Sequence, residues 1–222
     1  MKIDFKKLTI VIFGVIFSFI LSFVIGTFVP NFYVKKDVIT QTELLIKKEL
    51  FALDFFEPEF NYADEITFIK AVDKCVNFLN FKVSLPKRIP SELIIAQSSL
   101  ESNYGNSRFS AEGNNILGIR TFNKEEKQIK SKNNPDSEWG LKIFKTKCDC
   151  IRYYISLLNN HKAYSEFREL RIKQQNEGRI DVIELAKTLT NYATDEKYIE
   201  KLIGKIKEIQ KLNANNIIGI RG

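Results

Sequence analysis

One histidine and three cysteines, with no CxxC pair among them, leave the chain without any of the usual metal-ligand spacings, so neither a metal nor a cofactor is expected. The odd cysteine count permits at most one internal disulfide. Cys148 and Cys150 sit two apart, too close on a helix to bridge each other easily, so either one could pair with Cys75. His161 has no serine or cysteine nucleophile motif near it and reads as a helix-terminal residue bonded to backbone. No run of five like charges occurs among 34 Lys and Arg and 27 Asp and Glu, so the formal charge of +7 is dispersed. This argues against a nucleic-acid arm; a diffuse positive field suits an anionic surface, but a Lys-rich composition with no dedicated partner is the plainer reading.

One long apolar run is present. Leu8 to Val29 is free of charge for 22 residues, enough at about 1.5 Å per residue to cross a hydrocarbon core of about 30 Å. It is longer than the apolar region of a cleavable signal and lacks the small-residue exit, so an uncleaved membrane anchor is expected at 8–29. Lys2, Lys6 and Lys7 precede it against Lys35 and Lys36 after it, which favours residues 1–7 in the cytoplasm and the rest outside.

The remainder is globular in composition, with 18 Phe and 8 Tyr available for a core. Residues 30–60 read as a stalk. A helix is expected within 63–81, where apolar residues from Ile66 to Leu79 recur near helical spacing. Pro90 and Ser91, the latter a candidate N-cap, open a second helix of about twelve residues that ends before Gly105. Its polar face is so narrow that it should be central. From Glu112 to Phe144 the text turns rich in Gly, Asn and Lys, with short β-like pieces at Ile116–Phe122 and Leu141–Phe144, a small hairpin lobe. A helix at "KCDCIRYYISLLNN" follows, and then two more separated by the break at "NYATD".

Glu101 of "AQSSLESNYG" closes the central helix. A helix C-terminus carries about half a negative charge, and an apolar wall disfavours ionisation further, so both effects raise the pKa of a carboxyl placed there. That suits a general acid.

Together with "GNNILGIR" at 113–120, "RYYISLLNNHKAYSEFRELR" at 152–171 and "LAKTLTNYATDEKYIEKLIGKI" at 185–206, this stretch resembles the Bax-type branch of the bacterial glucosaminidases, glycoside hydrolase family 73. The resemblance covers roughly residues 88–212. It implies a mainly α, lysozyme-like α+β domain at about 61–212 with a small β-hairpin lobe and a tail at 213–222. It also implies that Glu101 is the catalytic acid, that Tyr192 lines the cleft beside it, and that the turn of Gly113, Asn114 and Asn115 underlies the sugar groove. Tyr104, Phe109 and Phe122 are candidate sugar platforms. Trp139 is either a further platform or an anchor of the lobe. A second carboxylate would come from "NNPDSEWGLKIF", with Glu138 the first candidate and Asp136 the second, but the spacing departs from the family pattern.

The implied activity is an endo-β-N-acetylglucosaminidase acting on the glycan strands of peptidoglycan, anchored in the cytoplasmic membrane and facing the periplasm or wall. The alternatives are a lytic transglycosylase or muramidase cutting the neighbouring bond, and a non-catalytic wall-binding scaffold.

Overall fold

The computed structural model describes residues 5–28, 37–38, 40–42, 44–46, 56–193 and 195–220. Residues 1–4 of the expected cytoplasmic segment and most of the expected stalk lie outside the described residues. The chain divides into two compact units, residues 1–56 and 57–222.

The first unit contains helix α1, Phe5–Phe28. Its stretch from Leu8 to Thr27 is long and apolar enough to cross a membrane, and its side chains are not covered by protein. A helix that is apolar all round in this way has no polar face to present to water.

The second unit is mainly helical. Helix α2, Glu65–Phe81, starts at a capping box: Asp64 Oδ1 accepts from the Thr67 amide at 2.7 Å, and Thr67 Oγ1 accepts from the Asp64 amide at 2.9 Å. Phe68, Val72, Cys75 and Val76 form its buried stripe. Asn80 then brackets Ile89, donating to its carbonyl at 2.8 Å and accepting from its amide at 3.1 Å, which brings the chain round into α3, Ser91–Ser102. Pro90, not Ser91, is the N-cap residue, and no side chain caps this helix. Proline cannot continue a helix inward from its own N-terminal side, so the first turn begins immediately after it.

Helix α3 is the centre of the unit, between α2 and the last helix, α8, Tyr198–Ala214. Leu93, Ile94, Ile95 and Ala96 are all fully buried. Helix α4, Arg108–Gly113, leads into a three-stranded antiparallel sheet of β1, Arg120–Thr121, β2, Gln128–Ile129, and β3, Gly140–Lys142, with β3 in the middle. The expected hairpin is thus a sheet with one more strand. Helix α5, Lys147–Asn160, crosses to α2 and is tied to it by a disulfide between Cys75 and Cys148. Cys150 is free and buried, and burial pushes its thiol up to about 12. Helix α6, Ser165–Asn176, and the short α7, Val182–Lys187, complete the unit. His161 caps the end of α5 and accepts from the Ala163 amide through Nδ1 at 3.2 Å.

Residues at both margins belong to this unit. Glu57 pairs with Arg152, and Phe60 packs edge-on to Phe68 at 5.9 Å, although the sequence assigns both residues to a stalk. In the tail, Asn213 holds Ile220 through its amide and carbonyl at 2.8 and 3.0 Å, and Ile218 and Ile220 are buried.

Candidate active site

Glu101 stands in the last turn of α3, half-buried, with Ser98, Ser99 and Ser102 buried around it. The helix stops abruptly because three residues in succession, Asn103, Tyr104 and Gly105, take left-handed φ values of 49°, 53° and 82°. Such a turn is costly for a bulky residue and needs outside support. Ser102 supplies part of it, donating to the Ser98 carbonyl at 2.6 Å and accepting from the Gly105 amide at 2.8 Å. The Tyr62 hydroxyl donates to the Gly105 carbonyl at 2.9 Å and lies so close that a Cβ at Gly105 would meet it at 2.5 Å. Gly105 is therefore fixed both by its φ and by Tyr62.

The hydroxyl of Tyr198, the first residue of α8, faces the Glu101 carboxyl and favours its ionised form. The same hydroxyl accepts from Gln97 Nε2 at 3.0 Å, and Gln97 Oε1 accepts from the Tyr154 hydroxyl. Gln97 and Tyr154 are fully buried. Across from the carboxyl lies Gly118, with φ of 62°; a Cβ there would come within 2.9 Å of Glu101 Oε2. A residue with a side chain would thus meet both an unfavourable backbone angle and the carboxylate. Burial holds the Glu101 pKa above the ordinary carboxylate value; the Tyr198 hydrogen bond and the Arg120 charge oppose it and only partly offset it.

Tyr192 joins this cluster. Its ring stacks on Tyr198 at 5.5 Å and meets Tyr154 edge-on at 5.7 Å, while its hydroxyl donates to the Leu117 carbonyl, next to Gly118. It holds the turn that closes on Glu101. Tyr198 itself, which faces the carboxyl, has no signal in the sequence beyond being the one aromatic residue of α8.

Asn114 and Asn115 do not present free amides to a sugar, and the sequence expectation is corrected here. Asn114 donates to the carbonyls of Phe144 and Lys145 at 3.1 Å each and accepts from Lys147. Asn115 is buried, donating to the carbonyls of Ile119 and Lys142 at 2.8 Å and accepting from the Ile119 amide. Unpaired backbone groups in a buried loop are costly, and these amides satisfy them. Both residues thus hold the loop that carries Gly118. Tyr104 is corrected likewise: it is 7% exposed, with its hydroxyl on Glu208 and Lys205 of α8 at 2.9 and 2.8 Å.

Phe122 is exposed on the lobe just after β1, and Phe109 is half-buried beneath the Arg108 guanidinium. Trp139 lies under the guanidinium of Arg120 at 4.1 Å, so Trp139 shares a face with a cation that acts on Glu101. Glu138 is exposed. The β1–β3 register pairs Thr121 with Gly140, and the Lys142 amide bonds to the Ile119 carbonyl. Glu138 sits two residues before β3, in a bend, and Asp136, also exposed, precedes it in a turn. Glu126 is the lobe carboxylate that is fixed, accepting from Thr121 at 2.7 Å and from Lys142 at 2.8 and 2.9 Å. No cluster of three or more metal-ligating side chains occurs among the described residues.

Comparison with known proteins places this geometry. Residues 82–211 match the glucosaminidase family, described as mannosyl-glycoprotein endo-β-N-acetylglucosaminidase. Protein bax of Escherichia coli K12 is 25% identical over 128 residues, which is 57% of this chain and 45% of that protein, so the chain spans less than half of that relative's length. A peptidoglycan hydrolase from Sphingomonas sp. A1 shares the fold at a TM-score of 0.51 and 19% identity, over 71% of this chain and 98% of that one. The catalytic domain of the autolysin Auto from Listeria monocytogenes aligns at a TM-score of 0.49 and 18% identity, over 80% and 97% of the two chains. With its central helix ending at a half-buried glutamate and more than half its length matched, the chain belongs to the glucosaminidase family of glycoside hydrolases.

Proposed function

We propose that this protein is a membrane-anchored peptidoglycan hydrolase that cuts the β-1,4 bond after N-acetylglucosamine, with Glu101 as general acid. The observation that carries the reading is the Glu101 carboxyl itself. It is shielded by α3, closed in by Gly118 and met by one hydroxyl, so it keeps a proton at a higher pH than an exposed glutamate does.

Glu101 gives that proton to the leaving glycosidic oxygen as the bond to the anomeric carbon breaks. Tyr198 then hydrogen-bonds the new carboxylate. Glu138 is exposed on the lobe, before the start of β3, and the acetamido oxygen of the substrate attacks the anomeric carbon in its place, forming a cyclic cation. Water next adds to that carbon, losing a proton to Glu101, so the acid is regenerated and configuration is retained. Tyr192 positions the sugar indirectly, through the Leu117 and Gly118 turn, and Phe122 and Trp139 are the lobe aromatics available to sugar faces.

Helix α1 anchors this domain, residues 1–7 lying in the cytoplasm, 30–56 forming the stalk and the catalytic unit facing the wall. An anchored enzyme reaches only glycan near the membrane.

The test is digestion of purified peptidoglycan by the full chain in detergent, beside Glu101→Gln, with mass spectrometry of the products. Hydrolysis after N-acetylglucosamine leaves a reducing N-acetylglucosamine end. An anhydro sugar indicates a transglycosylase instead, and equal digestion by both proteins removes Glu101 from the mechanism. A periplasmic reporter fused after Gly222 that stays inactive overturns the orientation.

A further inference from the structure

A cavity of about 620 Å³ lies at the other end of α3 from Glu101. Ser91 and Glu101 are ten residues apart on one helix, about 15 Å. Leu85, Ile89, Ile180 and Ile220 give it apolar walls, Ser91 and Glu92 come from the first turn of α3, and Arg88 stands at the rim.

Arg171, from α6, also lines this cavity although only 2% of its surface is exposed. Its Nη2 donates to Asn159 Oδ1 at 2.8 Å, and its guanidinium lies 5.4 Å from the Phe167 ring, but Nε and Nη1 have no hydrogen-bond partner. No carboxylate among the described residues pairs with it; Asp73 of α2 accepts from Asn77 at 3.0 Å through Oδ2, and its Oδ1 is buried without a hydrogen-bond partner. Burial lowers its pKa only to about 10, so the guanidinium is charged at neutral pH. A buried cation without a counter-charge is strongly disfavoured, and unmade hydrogen bonds add to the cost. Beside it opens the N-terminus of α3, which has no side-chain cap and which, like every helix N-terminus, favours an anion.

We infer that this cavity is a binding site for a monoanionic carboxylate carried on a small apolar body, of the kind a short peptide presents at its C-terminus. The carboxylate lies between the Arg171 guanidinium and the first turn of α3, and the apolar body lies against Leu85, Ile89 and Ile220. One buried positive charge matches one negative charge, while Glu92 at the same mouth repels a dianion such as phosphate. This inference does not depend on the hydrolase reading, since the two sites use opposite ends of α3.

Isothermal titration of the full chain in detergent with N-acetyl-leucine, N-acetyl-leucinamide and inorganic phosphate tests it. The acid is expected to bind saturably, and the amide, which has the same apolar body without the charge, about 10- to 100-fold more weakly. Arg171→Gln is expected to lose the preference for the acid, and Glu101→Gln to keep it. If Arg171→Gln does not fold, the acid-against-amide comparison on the unchanged chain decides, together with the Arg171 Nε–H resonance, which is expected to move only with the acid. Equal binding of acid and amide, tighter binding of phosphate, or no saturable binding of the acid overturns the assignment.

Discussion

The hydroxyl of Tyr198, at the start of α8, faces the carboxyl of Glu101, at the end of α3, and favours its ionised form. Two helices that are distant in sequence thus meet at the one carboxylate that the domain half-buries at the end of its central helix.

Replacing Glu101 by Gln is expected to reduce the rate of glycan cleavage by about 100-fold or more, since a positioned general acid contributes about 10²–10⁴. The same change is expected to stabilise the fold at neutral pH. The folded-state pKa of Glu101 is raised, so the stability its protonated form provides is complete below the unfolded value and is lost as pH rises through the folded one. The melting temperatures of the two proteins should converge in acid and separate, Gln above Glu, toward neutral pH.

Tyr198→Phe removes a hydroxyl that favours the ionised form of Glu101, leaving burial less opposed. The alkaline limb of kcat/KM against pH should move to higher pH while the maximum rate falls, because the ionised acid loses its donor. A lower rate with an unmoved limb would detach Tyr198 from Glu101.

Gly118→Ala places a Cβ against Glu101 Oε2 and forces a left-handed backbone onto a residue with a side chain. The backbone effect alone costs about 1–2 kcal/mol. Activity should fall further than this stability loss explains, and thermal melting beside a kinetic assay separates the two.

Glu138→Gln should retain most of the activity, within about tenfold, if the substrate's acetamido group is the nucleophile. A loss as large as that of Glu101→Gln, measured in the same assay, would instead make Glu138 the second carboxylate.

Changing Cys75 and Cys148 together to Ser should lower stability by roughly 2–4 kcal/mol, since their bond closes a long loop between α2 and α5. Cys150, buried with its thiol pushed up to about 12, should resist alkylation until the chain is denatured. Mass spectrometry of iodoacetamide-treated protein counts the labelled thiols.

The sequence displays α3 and its acid plainly, because an apolar helix that ends in a glutamate and a glycine is a local pattern. Helices α2, α5 and α8 are visible through the same periodicity. Helix α6 is not, because its residues are mostly charged or polar and few of them are buried. Strand β2 is hidden in the polar text "KEEKQIK", where pairing with β3 rather than propensity makes the strand. Which cysteine meets Cys75 depends on how α5 is rotated: residues two apart on a helix point roughly 200° from one another, so Cys148 faces α2 and Cys150 does not. Asn114 and Asn115 mislead because an amide that suits a sugar suits a backbone carbonyl equally well. Tyr198 and Gln97 are long-range partners, and nothing local marks them.

The buried amide of Gln97 has a consequence for a single hydrogen atom. Its nitrogen gives to Tyr198 and its oxygen takes from Tyr154, so the Tyr198 oxygen serves the amide as acceptor and its own proton is left for Glu101; turned over, the amide oxygen would claim that proton instead. The donor that greets the newly formed carboxylate is therefore aimed before the reaction starts, and a neutral side chain one turn back on α3 does the aiming.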